Sequence, residues 1–112
     1  MCTVSQLNSI QHKMAEQYRS VYGNTIDRIL LYGSYARGDN TADSDIDIVA
    51  IVRGDRTDLQ KKLKSLWSYS AEIGLDYDVV ISPAVIPYDE FEAYKEILPY
   101  YINIDKEGLR IE

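Results

Sequence analysis

Hydrophobic residues near the start of the chain recur every three or four positions, which is the spacing of one face of an α-helix. They are Leu7, Ile10, Met14, Tyr18 and Val21. Ser5 is a candidate N-cap, and Gly23 follows the last of them. The pattern therefore predicts an amphipathic helix over residues 5–22.

A second stripe with the same spacing predicts a helix over residues 57–73, ending at Gly74. Its members are Leu59, Leu63, Leu66, Trp67, Ser70 and Ile73, and we expect them, Trp67 included, to face the core. Residues 88–101 also look helical, with an interruption or kink at Pro99. One further turn before Gly108 and a short apolar tail would complete the chain.

Three shorter apolar runs separate these helices and predict strands. The first covers residues 29–32 and stops at Gly33, the second covers 45–52, and the third covers 76–82 and runs to Pro83. The 17-residue helix between the second and third strands is about as long as an eight-residue strand, so it can return the chain to the same end of the sheet. We expect strands two and three to be parallel and the first strand to be antiparallel to its neighbour.

These elements predict one α/β (α+β) domain over residues 1–112, with a small mixed β-sheet and helices packed on it. Twelve basic and 18 acidic residues give a net charge of −6, which argues against sequence-independent binding of nucleic acid. The single cysteine, Cys2, cannot form an intramolecular disulfide. No apolar run approaches the roughly 20 residues of a membrane helix, and no signal peptide is visible, so we expect a cytoplasmic protein.

Two short motifs carry the candidate chemistry, and both border the loop between the first two strands. Gly-Ser-Tyr-Ala-Arg-Gly occupies residues 33–38. Ten residues separate Ser34 from the Asp-Ile-Asp segment at 45–47, which Asp43 and Ser44 precede.

Gly-Ser followed by Asp-x-Asp resembles the signature of the DNA-polymerase-β-like nucleotidyltransferase superfamily. The fuller pattern over residues 33–47 is similar to the minimal nucleotidyltransferase family, which includes prokaryotic antitoxins paired with HEPN-domain toxins. The resemblance implies a fold like the palm of polymerase β. It also implies transfer of a nucleoside monophosphate, from ATP or another nucleotide bound with two Mg²⁺ ions, to an acceptor hydroxyl. The implied acceptor is a tyrosine of a HEPN toxin, which would make this chain an antitoxin that acts by AMPylation.

Elementary geometry explains the spacing of the aspartates. Side chains alternate along a strand, so Asp45 and Asp47 project from one face about 6–7 Å apart. Two carboxylates this close repel each other unless a cation or a proton lies between them. Hard oxygen ligands of this kind favour Mg²⁺ completed by substrate phosphates.

The glycine-serine turn supplies the complementary binding groups. Gly33 lets the backbone approach a phosphate, and the following N–H groups with the Ser34 hydroxyl can hold phosphate oxygens. The resemblance gives Gly33 and Ser34 this role. Arg37 matches the motif too, either as a phosphate ligand or in a structural ion pair with an acid such as Asp43.

The third carboxylate of the implied site has two candidates at the start of the third strand, Asp76 and Asp78. The two residues are two positions apart, so both side chains would point to the same face of a strand. Strand alternation therefore does not decide between them. We favour Asp78, because an apolar segment follows it directly, as one follows Asp47. In the family this acid lies near the acceptor hydroxyl and serves as general base or metal ligand.

Two other functions fit the same sequence. One is an antitoxin that masks its toxin by contact without turnover, and the other is a nucleotidyltransferase acting on an antibiotic or metabolite. The chain leaves about 30 residues after its third strand, too few for a separate acceptor domain.

Overall fold

The computed structural model describes residues 3–111, so Cys2 lies outside the described residues. The helices and strands follow in this order: α1 (Val4–Tyr22), β1 (Ile26–Tyr32), α2 (Ser34–Arg37), β2 (Ile46–Val52), α3 (Arg56–Tyr77), β3 (Ile81–Pro87), α4 (Tyr88–Tyr94), α5 (Pro99–Glu107) and β4 (Leu109–Arg110). One turn of 3₁₀-helix, Gly23–Thr25, links α1 to β1. No helix within residues 3–111 is both long and apolar enough to cross a membrane.

The strands form one mixed sheet in the order β3-β2-β1-β4. β1 is antiparallel to β2, and β3 is parallel to β2 through the α3 crossover, as predicted. The α/β fold class is thereby confirmed. β4 was not predicted, because two residues paired with Leu30 and Leu31 are too short to leave a pattern in the sequence.

The two faces of the sheet pack against different helices because side chains alternate along β2. Ile46, Ile48, Ala50 and Val52 pack in the cluster that includes the buried residues of α1 and α3. Val49 and Ile51 pack in a second cluster with Phe91 of α4 and Tyr101 and Ile104 of α5. Asp47 is two residues before Val49, so its side chain lies on the same face of the sheet, towards α4 and α5.

Helix ends follow local chemistry that the hydrophobic pattern does not contain. α1 starts one residue earlier than predicted, because Thr3 and Gln6 form a capping box in place of the expected Ser5 cap. The interruption expected at Pro99 within residues 88–101 is confirmed, and it separates two helices, α4 and α5. Pro99 is at the start of α5, where its missing N–H has no cost.

The third strand lies further along the chain than expected. α3 continues to Tyr77, whose ring packs against the core and lies 5.3 Å from the Lys13 ammonium, and Asp78 ends the helix at φ 55°. β3 therefore starts at Ile81, and a strand over 76–82 was wrong. Pro83 lies inside β3 because β3 is an edge strand, where a missing N–H is tolerated.

Candidate active site

Asp47, the second residue of β2, is the centre of the candidate site. It is half-buried, whereas Asp45, just before the strand, is exposed. The charge of Asp45 contributes to raising the pKa of Asp47, so the two carboxylates are electrostatically coupled. The structure thus brings the predicted aspartate pair together at the start of β2.

Gly33 joins the two sequence motifs into one site. Tyr32 pairs with Asp47 across β1 and β2, so the next residue, Gly33, lies beside the carboxylate. Gly33 has φ 77° and ψ −154°, a conformation open only to glycine. A Cβ at this position would lie 2.5 Å from Asp47 Oδ2. The absence of a side chain here is therefore what allows the Gly-Ser turn to reach the carboxylate.

Ser34 begins α2, a single turn held by N–H groups of Ala36 and Arg37 donating to the Gly33 carbonyl. The Ser34 carbonyl accepts from the N–H groups of Gly38 and Asp39. The N–H groups of the first helical residues have no acceptor within their own helix. Because the Ala36 and Arg37 N–H groups donate to Gly33, the backbone N–H of Ser34 and its hydroxyl are the groups that this turn can offer to a phosphate.

Arg37 pairs with Asp39 and Glu107, at 3.2 Å and 3.4 Å, rather than with Asp43. Both contacts raise the pKa of the Arg37 guanidinium. Its positive charge also lowers the pKa of Asp47, so Arg37 is close enough to act on the site electrostatically. The last residue of α5 thereby helps to hold the motif arginine beside the aspartates.

The pKa of Asp47 is raised first by burial and then by the charge of Asp45, and Arg37 offsets only part of this. An excess of negative charge at a partly desolvated position is the environment that a divalent cation stabilises. Mg²⁺ is commonly held by one or two carboxylates with the rest of its shell from phosphates and water, and this pair matches that donor set.

The three carboxylates expected at the metal do not form one cluster. Among residues 3–111, no group of three or more His, Cys, Asp or Glu side chains lies close enough to hold a metal ion. The physical reason is the extension of α3, which puts Asp76 in its last turn and Asp78 at its C-cap. Asp78 instead lines a cavity of about 640 Å³ that Asp43 and Asp45 also reach, and its catalytic role stays a prediction.

A family comparison identifies the domain that carries this site. Residues 12–111 match the model of the nucleotidyltransferase domain. The chain belongs to the nucleotidyltransferase domain family. The resemblance seen in the two motifs is confirmed, since the match includes both of them.

Two proteins of Methanocaldococcus jannaschii, each named as a putative protein adenylyltransferase, are similar to this nucleotidyltransferase domain. One is 36% identical over 66 residues, which are 59% of this chain and 65% of that protein. The other is 36% identical over 90 residues, which are 80% of this chain and 82% of that protein. The match therefore spans just under two thirds of the first relative's length.

A solved structure, described as the crystal structure of a toxin-antitoxin with AMP-PNP, has a similar fold. Its TM-score is 0.57 at 16% sequence identity, and the alignment covers 89% of this chain and 70% of that chain. This likeness supports the nucleotidyltransferase fold of the domain.

Three further side chains surround Asp47 and were not among the predicted site residues. Ser82 is its partner across β2 and β3, and Tyr32 and Tyr100 line the same cavity of about 220 Å³. The two tyrosine rings meet edge to face, 5.8 Å between centroids. Burial, Tyr32 and the charge of Asp47 raise the pKa of Tyr100, so its phenol stays protonated at neutral pH. Sequence spacing could not place Tyr100 here, because it comes from α5.

Proposed function

We propose that this nucleotidyltransferase domain transfers AMP from ATP to a hydroxyl group of another protein and releases pyrophosphate. The observation that carries the proposal is the approach of Gly33 to the Asp47 carboxylate, which makes the Gly-Ser turn and the aspartate pair a single site. The names of the two archaeal relatives support the reaction type.

Each motif residue has a role in this reaction. The backbone at Gly33 and the N–H and hydroxyl groups of Ser34 bind the β- and γ-phosphates. Arg37 adds positive charge near the phosphates while Asp39 and Glu107 hold its side chain. Asp45 and Asp47 would hold Mg²⁺, which supplies Lewis-acid stabilisation of the charge on the transferred phosphoryl group.

The chemical step is an in-line displacement at the α-phosphorus. The acceptor oxygen forms a bond to the α-phosphorus, and the bond from that phosphorus to the α,β-bridging oxygen breaks. Pyrophosphate leaves, and the acceptor hydroxyl gives its proton to a general base. Asp78, which lines the cavity that Asp45 also reaches, is our candidate for that base.

We propose further that the acceptor is a tyrosine of a HEPN-domain toxin, which makes this chain an antitoxin. The fold similarity to a chain of a toxin-antitoxin structure with AMP-PNP supports a toxin as the partner, and the HEPN class rests on the motif resemblance. In this proposal the toxin is neutralised by the modification itself.

The test combines the purified chain with ATP, Mg²⁺ and a HEPN-domain protein encoded beside it, and measures the intact mass of that protein. We expect mass increments of one or more AMP groups. Asp45→Asn with Asp47→Asn should reduce the rate by at least about 100-fold, the scale on which groups that stabilise transition-state charge act.

Glu72→Gln with Glu96→Gln is the matched control, since it removes two exposed carboxylates outside the site. It should leave the rate unchanged. If the double aspartate variant neutralises the toxin at full potency and the toxin's mass is unchanged, the protein acts by contact instead. Modification of an antibiotic or metabolite in an acceptor screen with labelled ATP would point to the small-molecule alternative.

A further inference from the structure

A second cavity opens at the start of β3, and its lining includes Asp45 but not Gly33. It lies between the loop over residues 42–45, the C-terminal half of α3 and the link over residues 78–81, and has a volume of about 640 Å³. We call it the edge groove, because β3 is the edge strand of the sheet. Its size is that of a typical ligand pocket.

The walls of the edge groove expose large apolar side chains to solvent. Trp67 is 50% exposed, Leu75 is 85% exposed and Val80 is 59% exposed. Trp67 was expected in the core, but Leu66 and Ser70 take the inward positions of this part of α3 and turn the indole outward. Exposed apolar groups that share one groove are characteristic of an interaction site, and tryptophan is frequent among the residues that dominate binding energy.

The floor of the groove is fixed by backbone contacts. The Val79 N–H donates to the Gly74 carbonyl at 3.0 Å, and a Cβ on Gly74 would lie 2.6 Å from the Val79 carbonyl oxygen. The link after α3 is therefore packed directly on the helix. The apolar walls therefore stand on a tightly packed backbone scaffold.

The charge of the groove selects the kind of occupant. Asp43, Asp45 and Asp78 line it, and its lining residues, all within the described part of the chain, include no Lys or Arg. An apolar wall beside carboxylates matches a tyrosine side chain, which has an apolar ring and a polar tip. Basic neighbours of that tyrosine would complement the aspartates.

The position of the groove agrees with the direction of the proposed reaction. In an in-line displacement the attacking and leaving oxygens lie on opposite sides of the phosphorus. Gly33 and Ser34, at the end of β1, hold the pyrophosphate side in the proposed function. β2, which carries the aspartates, lies between β1 and β3 in the sheet. The acceptor must therefore approach from the β3 side, where Asp45 lines the edge groove.

We propose that the edge groove binds a segment of the partner protein in which the acceptor tyrosine is flanked by Lys or Arg. The direction of attack rests on the proposed function, whereas the docking of the segment rests on the groove itself. Trp67 supplies the apolar wall for the tyrosine ring, and the groove carboxylates attract the basic flanks.

Trp67 is the single tryptophan of the chain, so its fluorescence, excited at a wavelength that spares tyrosine, reports on the groove directly. The probe is a synthetic peptide Lys-Leu-Tyr-Arg-Lys, compared with Glu-Leu-Tyr-Glu-Glu and with AMP-PNP plus Mg²⁺. We expect a saturable change with the basic peptide and a much weaker one with the acidic peptide. A response to AMP-PNP with Mg²⁺ but not to the basic peptide would assign the groove to the nucleotide and overturn the proposal.

The second arm measures AMP transfer to the HEPN-domain partner. Trp67→Ala should lower kcat/KM at least about tenfold, and Trp67→Phe should retain most of it, whereas the rise in Tm with AMP-PNP and Mg²⁺ stays that of the wild type. The control is Tyr94→Ala, which removes a 45% exposed aromatic ring from α4 on the other face of the sheet. Full transfer by Trp67→Ala would overturn the groove proposal alone. Absence of transfer by the wild type would overturn the proposed function, and the fluorescence titration would still decide on the groove.

Discussion

Gly33 is constrained in two ways, by its backbone and by its neighbour. Its φ of 77° with ψ −154° is a glycine conformation, and Asp47 Oδ2 occupies the place of a side chain. Gly33→Ala should therefore destabilise the protein by about 1–3 kcal/mol, the usual cost of a strained backbone position. It should also displace the Asp47 carboxylate and weaken AMP-PNP binding. Thermal unfolding with and without AMP-PNP and Mg²⁺ measures both effects.

Gly38 provides the matched comparison for Gly33. It also has a positive φ, 84°, but no atom lies within 4 Å of a Cβ built there. Gly38→Ala should cost about 1 kcal/mol for the left-handed backbone and leave nucleotide binding intact. Equal loss of nucleotide binding in both variants would show that the contact between Gly33 and Asp47 is not what matters.

At the residue scale, the sequence was informative where chemistry depends on near neighbours. Gly33, Asp45 and Asp47 could be placed because strand alternation and a short loop leave little freedom. Tyr100 and Glu107 could not, since α5 reaches the site through tertiary packing, with Glu107 on Arg37 and Tyr100 on Tyr32. No local pattern records such contacts.

At the element scale, Tyr18 fastens α1 to the sheet through its hydroxyl. The hydroxyl lies 3.1 Å from the Ile48 carbonyl of β2, and it contacts both the carbonyl and the N–H of Ala84 on β3, at 2.8 Å and 3.1 Å. Burial raises the pKa of Tyr18 well above its usual range, so the phenol remains a donor. Tyr18→Phe leaves backbone groups of both strands without this partner. We expect a loss of about 1–3 kcal/mol, measured by urea unfolding.

Tyr22→Phe is the control for Tyr18→Phe, because the Tyr22 hydroxyl makes one bond, to the Leu59 carbonyl at 2.7 Å. Leu59 lies in α3, where carbonyls also accept helical hydrogen bonds. The loss should be smaller, about 0.5–1.5 kcal/mol. A Tyr18→Phe variant as stable as wild type would mean that α1 is held by apolar packing alone.

The elements themselves were predictable to different degrees. β2 and α1 have strong periodicity over their whole length, and their predicted bounds agree with the structure within one residue. The boundary between α3 and β3 was misplaced because residues 75–78 are compatible with either state and Pro83 argued against a strand. Packing of Tyr77 on the core and the edge position of β3 decided the outcome.

At the scale of the whole molecule, the fold concentrates negative charge around the candidate site. The net charge of −6 includes Asp45 and Asp47 at the start of β2 and Asp43 and Asp78 in the edge groove. A nucleotide brings further negative charge to this region. In the proposed function, ATP would therefore need compensation of its charge by Arg37 and a divalent cation, whereas a basic partner segment would be attracted without it.

The stability of the molecule should depend on pH through this charge. The pKa of folded Asp47 lies above its ordinary value, so the folded state binds a proton more readily than the unfolded chain. Its contribution to the free energy of unfolding therefore falls as the pH rises from about 4 through the raised pKa, and stays low above it. Asp45→Asn removes one cause of the raised pKa and should reduce this fall.

We expect Asp45→Asn to raise Tm in metal-free buffer at pH 7 by a few degrees, since about 1 kcal/mol corresponds to about 4–8 °C in a domain of this size. Well below pH 4 the Asp47 carboxylate, whose pKa is raised, is protonated, and the difference from wild type should shrink. Thermal unfolding in chelator at both pH values measures it, with Glu96→Gln as the control for loss of an exposed carboxylate. A difference of the same size at both pH values, or none, would show that Asp45 and Asp47 are not coupled. With Mg²⁺ and AMP-PNP the wild type should have the higher Tm, because its aspartate pair binds the cation more tightly than the variant does.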